Sequence, residues 1–161
     1  MSSTETVLDL VELGIAPGSG RALTQSIEPI AAGSLRRLAN GRLVSRMRPS
    51  LRKYRISINF SDVWPPAFGG LWAGDEVTVH SAAELEQKAS VSLERPHVLG
   101  SIVWRDAAGY TLPSGEGETV APEGAAWVVY RPILECLVES WDLERDEYGE
   151  VVSATLNLQE V

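Results

Sequence analysis

The chain has 161 residues and 17.5 kDa, is 44% hydrophobic and 22% charged, and carries a formal net charge of -8. That is one domain's worth of chain, long enough to bury roughly two-thirds of its unfolded surface without metals or disulfides. A single cysteine, Cys136, and two histidines, His80 and His97, exclude a disulfide scaffold and a cysteine-rich zinc module, and no run reaches the roughly 18 apolar residues of a membrane span.

Met1 to Glu12 carries Glu5, Asp9 and Glu12 where a signal peptide needs positive charge and an apolar run, so folding in a reducing cytoplasm is expected. We expect one β domain over residues 1–161, with 1–17 as an N-terminal arm. Thr6 to Leu13 has apolar residues that fit either a helical or a strand period. From Arg21 to Arg55 nine basic residues face one acid, Glu28, which gives this segment +8 and leaves -16 on the rest. Such segregation makes copies of one molecule mutually attractive; a basic groove for nucleic acid is the competing reading.

Asn40-Gly41 between Ser34–Ala39 and Arg42–Met47 predicts a hairpin through a type I′ turn. Arg52 to Phe60 alternates Tyr54, Ile56, Ile58 and Phe60 against Lys53, Arg55, Ser57 and Asn59, the pattern of a half-buried strand. Pro65-Pro66 interrupts pairing, Ala67 to Gly74 reads as a loop, and Glu76 to His80 as a strand. Ala82 to Ala89 has good helix formers behind a capping-box match of Ser81 and Glu84, a candidate short helix. Val98 to Arg105 and Gly109 to Leu112 read as a hairpin, and Pro113 to Gly124 as an exposed, mobile loop.

Trp127 to Glu144 and Glu150 to Val161 read as a long hairpin turned by Asp146 to Gly149. Its second arm points Val152, Ala154, Leu156 and Leu158 inward and Ser153, Thr155, Asn157 and Gln159 outward. On the first arm Glu135 and Glu139 share a face with Ile133, Leu137 and Trp141, opposite Leu134, Cys136, Val138 and Ser140. Both faces hold apolar residues, which suits either a sheet continued by a neighbouring subunit or a two-sheet sandwich within one chain. The fold class expected is therefore all-β, an antiparallel sandwich or barrel with long hairpins and at most one short helix.

Constellations for chemistry are sparse. Glu135, Glu139, Asp142, Glu144, Asp146, Glu147 and Glu150 crowd the last hairpin, and two such carboxylates, with the chain's five tryptophans for sugar stacking, would suit a carbohydrate-binding or glycoside-cleaving domain. A run of this kind is usually a solvated face. Cys136 lies on an apolar strand face, where cysteine acts as a small hydrophobe. Gly18-Ser19-Gly20 lacks the Lys-Ser/Thr ending of a phosphate loop. No catalytic residue, metal site or cofactor is expected. The nucleic-acid alternative rests on the arginines between Arg21 and Arg55, with Tyr54 as a stacking candidate.

Several stretches resemble small structural proteins of the tails and baseplates of long-tailed, non-contractile bacteriophages and prophages. They are Arg21 to Ile30 (RALTQSIEPI), Leu35 to Leu43 (LRRLANGRL), Phe68 to Val79 (FGGLWAGDEVTV), Tyr130 to Leu134, Trp141, Asp146 to Gly149 and Leu158 to Val161. The resemblance implies a tail-tube-like β fold and a homo-oligomeric, hexameric ring around the tail channel, located in the virion and assembled in the bacterial cytoplasm. It implies no enzymatic activity. Partners would be copies of itself, neighbouring tube, hub and tape-measure proteins, and DNA in transit, with no membrane insertion. A distal-tail or baseplate ring is the first choice, the tube itself second and a head-to-tail connector third. Within such a ring the basic strip Arg36, Arg37, Arg42, Arg46, Arg48, Arg52 and Arg55 is expected at a subunit interface. Glu135, Glu139, Asp142 and Glu144 are expected to line the channel, where carboxylates keep DNA from sticking.

Overall fold

Alternating side chains build the larger of two layers. On β5 (Lys53–Asp62) Ile56, Ile58 and Phe60 are buried while Arg55 and Asn59 are exposed; on β12 (Val152–Glu160) Val152, Ala154, Leu156 and Leu158 are buried. The two pair antiparallel with Leu156 opposite Ile58 and Leu158 opposite Ile56, so one face collects the apolar side chains. The computed structural model describes residues 6–114, 117–149 and 151–161. With β1 (Asp9–Leu10), β2 (Ala22–Ile30), β6 (Glu76–His80) and β11 (Ile133–Arg145), the layer is a six-stranded antiparallel sheet in the order β1-β6-β11-β12-β5-β2. Phe68 and Leu71, from the loop after Pro65-Pro66, close its core, Phe68 meeting Phe60 edge to face at 5.4 Å. Each of these large side chains contributes about 1.5–3 kcal/mol by leaving water.

The second layer is a four-stranded sheet of β7 (Leu85–Lys88), β8 (Val103–Arg105), β9 (Thr111–Leu112) and β10 (Trp127–Tyr130), ordered β7-β10-β8-β9 around Ile102, Trp104, Val128 and Tyr130. Two polar nodes tie its neighbourhood to the first layer. Arg95 donates to Glu160 and, at 2.8 Å, to the Arg52 carbonyl, while its guanidinium lies 5.1 Å from the Tyr54 ring centre. Gln25 on β2 accepts the Ala82 and Ala83 N–H groups at 2.8 and 3.0 Å and donates to Ser81 Oγ. The chain is all-β as expected, its one helical element among the described residues being a 3-10 turn at Pro49–Leu51.

Five local expectations need correction. Ala82 to Ala89 contains strand β7, because pairing with β10, Leu85 opposite Tyr130 through Lys88 opposite Trp127, overrides its helical propensity. Thr6 to Leu13, open between the two periods, contains the strand β1, and because Leu8 and Leu10 enter the main core and β1 pairs with β6, the expected N-terminal arm is bound to the sheet from Leu8. Asn40-Gly41 does turn a hairpin, but Leu38 faces Arg42 across a three-residue loop in which Gly41 alone has positive φ (79°). That is a type I turn followed by a left-handed glycine, not type I′. The first arm of the last hairpin does not start at Trp127. The chain bends at Arg131-Pro132, leaving β10 in the small sheet and starting β11 in the large one. Finally, register shifts between Val138 and Ser140, which places Trp141 opposite Leu156 and Leu143 opposite Ala154, on the core side. Trp141 therefore leaves the face of Glu135; it packs at 5.7 Å from Phe68 and donates to the Leu71 carbonyl at 2.8 Å.

Candidate functional site

The basic segment folds as the far half of one long hairpin. β2 and β5 pair until Ile30 faces Lys53; beyond them Arg48 donates to the Ala32 carbonyl, Arg46 to Ser34, and β3 (Leu35–Arg37) pairs with β4 (Leu43–Ser45). Four residues, 31–34, face seven, 46–52, and the 3-10 turn absorbs the excess, which ends the sheet and starts a separate two-stranded arm. Gly33 sits at this joint: a Cβ there would lie 2.4 Å from the Arg46 carbonyl oxygen. No residue of β3 or β4 is buried. Leu35, Leu38 and Leu43 are each half or more exposed, amid Arg36, Arg37, Arg42, Arg46, Arg48 and Arg52, all exposed. Among the described residues none of these six arginines has a carboxylate within ion-pair distance. Arg55 differs: it stands on β5, inside the main sheet, and pairs with Glu139 at 3.4 Å.

Expected channel residues lie on the outer face of the main sheet. Glu135 is opposite Thr78, Asp142 opposite Thr155 and Glu144 opposite Ser153, all exposed carboxylates on a face otherwise made of short polar side chains. Rows across the sheet read Thr24, Asn59, Thr155 and Asp142, then Ser26, Ser57, Asn157 and Ser140. Thr155 donates to Asn59 at 2.9 Å and Asn157 to Ser140 at 3.1 Å. Glu139 sits at the register shift and is committed to Arg55, so one residue of the expected interface and one of the expected channel neutralise each other within the chain. Leu137 is the apolar residue of that first arm left clearly exposed on this face. Glu150 lies outside the described residues.

Several charged groups elsewhere are engaged by neighbours within the chain. Asp62 accepts from the Arg21 backbone and guanidinium at 3.0 Å and from the Val63 N–H at 2.8 Å. The Arg21 guanidinium, joined by those N–H groups, holds its carboxyl at about 2 against burial. Burial pushes the Cys136 thiol up to about 12, with Glu160 adding to the shift, which leaves no thiolate for nucleophilic work. His80 lies 3.9 Å from Asp9, and His97 lies 3.7 Å from Glu118, whose backbone carbonyl accepts the Trp104 indole N–H. A cleft of about 220 Å³ over β6 and β11 is lined by Glu12, Glu76, Thr78 and Glu135. Glu12 there is already held by the Thr78 N–H and hydroxyl. Among the described residues no three His, Cys, Asp or Glu side chains gather as a metal site. The Arg95–Glu160 node, 65 residues apart in sequence, had no local signal that could reveal it.

No family model matches this chain, and no curated protein or solved structure is significantly similar to it.

Proposed function

We propose that the chain is a structural subunit that assembles with copies of itself, and that the assembly is a ring of a bacteriophage tail or baseplate. One observation carries the self-assembly reading: a +6 arm, rich in exposed leucine, stands outside both cores of a molecule whose remaining surface is acidic. A two-stranded hairpin is marginal in water by itself, and exposed Leu beside unpaired Arg fits a surface that is covered on association. The ring and its place in a tail rest on the resemblance of Arg21 to Ile30, Leu35 to Leu43 and the C-terminal stretches. In that ring the outer face of the main sheet around Glu135 suits a channel wall, since carboxylates repel phosphates and the Ser, Thr and Asn rows add no positive charge there.

Light scattering and negative-stain microscopy over a range of protein concentration, at low and high salt, test this. A discrete ring that is lost when Arg36, Arg37, Arg42 and Arg46 become Gln supports the reading; a monomer under all conditions overturns it. The unpaired arginines also favour a second reading, a nucleic-acid-binding β module. Retention of the monomer on single-stranded DNA, falling steeply with salt, would establish it instead.

A further inference from the structure

The charged regions are placed at opposite ends of one sheet. Register fixes this. Ile30, Lys53 and Gln159 stand near one end of the strands β2, β5 and β12, and the arm of residues 31–52 leaves from there. Ala22, Asp62, Val152 and Arg145 stand at the other end, where the turn Asp146–Gly149 closes the last hairpin. The arm has six arginines and no carboxylate. The far end has Asp142, Glu144, Asp146 and Glu147, all exposed, against Arg145; Arg21 there is engaged with Asp62. Both ends also expose apolar side chains. Leu35, Leu38 and Leu43 stand on the arm, while Tyr148 (89% exposed), Trp64 (60%) and Val151 (57%) stand near the acidic turn.

We propose that copies of this chain join head to tail along the strand direction, the basic arm of one seating on the acidic turn end of the next. This rests on the self-assembly reading and specifies its geometry. The occupant is a second copy because charge and apolar surface are complementary between the two ends and repulsive between two arms or two turn ends. Such a contact is heterologous: it closes a ring if the rotation between copies divides a full turn, and otherwise grows a filament. The arm's joint suits reaching a neighbour, since among the described residues it is held to the sheet by the paired segment 31–34 and 46–48 and by Arg95 on the Arg52 carbonyl, and no arm residue belongs to the main core.

A charge-exchange experiment tests it, using two full-length variants checked for a native-like β circular dichroism spectrum. One carries Arg36→Glu, Arg37→Glu, Arg42→Glu and Arg46→Glu; the other carries Glu144→Lys, Asp146→Lys and Glu147→Lys. Every substituted position is exposed, so folding should survive; should a reversal fail to fold, the Gln or Asn replacements at the same positions serve. Each reversal alone should raise the concentration for half-assembly at least about tenfold, the equivalent of about 1.4 kcal/mol. Mixed in equal amounts they should recover assemblies of wild-type mass, because each arm then meets an end of opposite sign. Wild-type assembly that survives the turn-end reversal unchanged, or two reversals that do not rescue one another, overturns the head-to-tail contact while leaving self-assembly standing. A wild-type protein that stays monomeric overturns both, and one that also binds single-stranded DNA through the arm replaces them with the nucleic-acid reading.

Discussion

The hairpin from Ala22 to Asp62 has two halves that obey the same pairing rules and meet opposite fates. In the half near its ends, Leu23, Ile27, Ile56, Ile58 and Phe60 face one core, and their neighbours Ser26, Thr24, Ser57 and Asn59 face water. In the far half Leu35 and Leu43 share a side with Arg37, while Val44 shares the other with Arg36. Alternation there sorts nothing, because each side mixes leucine or valine with arginine. A sheet face that carries charge among its apolar groups cannot be buried within its own chain without stranding that charge. The first half is therefore a structural element, and the second is surface whose composition makes sense in contact with something else.

Substitutions that truncate the core half should be the most damaging. Leu156 is fully buried opposite Ile58, so Leu156→Ala is expected to lower stability by about 2–5 kcal/mol in urea unfolding. A smaller loss would mean that the sheet collapses into the cavity. Next in size is Gln25→Ala. It leaves the Ala82 and Ala83 N–H groups without their acceptor, and about 1–3 kcal/mol is expected from stranded donors of that kind. Gln25→Glu, which keeps an acceptor, should recover part of the loss; equal destabilisation by both would remove the hydrogen-bond explanation.

How much of this was legible in the sequence depends on the range of the forces involved. β5, β6 and the inward set on β12 follow from alternation because each has one dry and one wet face, a property each strand states locally. The break at Arg131-Pro132 had a signal, a proline inside an assumed continuous arm, and it was outweighed by the apolar run around it. The shift at Val138/Ser140 had none: the flip of Trp141 and Leu143 toward the core is set by which residues β12 presents opposite them. β7 misled because Glu, Leu and Lys favour helix in isolation, whereas its partner β10 lies about forty residues downstream. For the candidate surface, the arginines and the acidic hairpin were visible as charge. Their placement at opposite ends of one sheet, and the pairing of Arg55 with Glu139, required the register.

Acid should separate the two ends of the hairpin. Its base is clamped by Asp62 and Arg21, and the Asp62 carboxyl is held at about 2 against an ordinary 3.8. A carboxyl with a depressed folded value adds stability that is complete above its unfolded value and disappears as pH falls through its folded one. The urea midpoint should therefore decline between 3.8 and about 2 in the wild type, and Asp62→Asn should flatten that part of the profile. An unchanged slope would assign the acid sensitivity to other carboxylates.

The smallest effect belongs to the arm. Leu43 is half exposed and pairs with Arg37 outside both cores, so little apolar surface is buried there relative to the unfolded chain. Leu43→Ser should change the urea midpoint of the dilute monomer by no more than about 0.5 kcal/mol equivalent, as for surface positions generally. The same change removes apolar area from the surface proposed to meet a second copy, so it should weaken assembly at concentrations where the wild type associates. Measuring both quantities on one variant decides what the leucine is for. Loss of stability in the monomer would make the arm part of the fold after all; loss of assembly alone would make it a surface kept for contact.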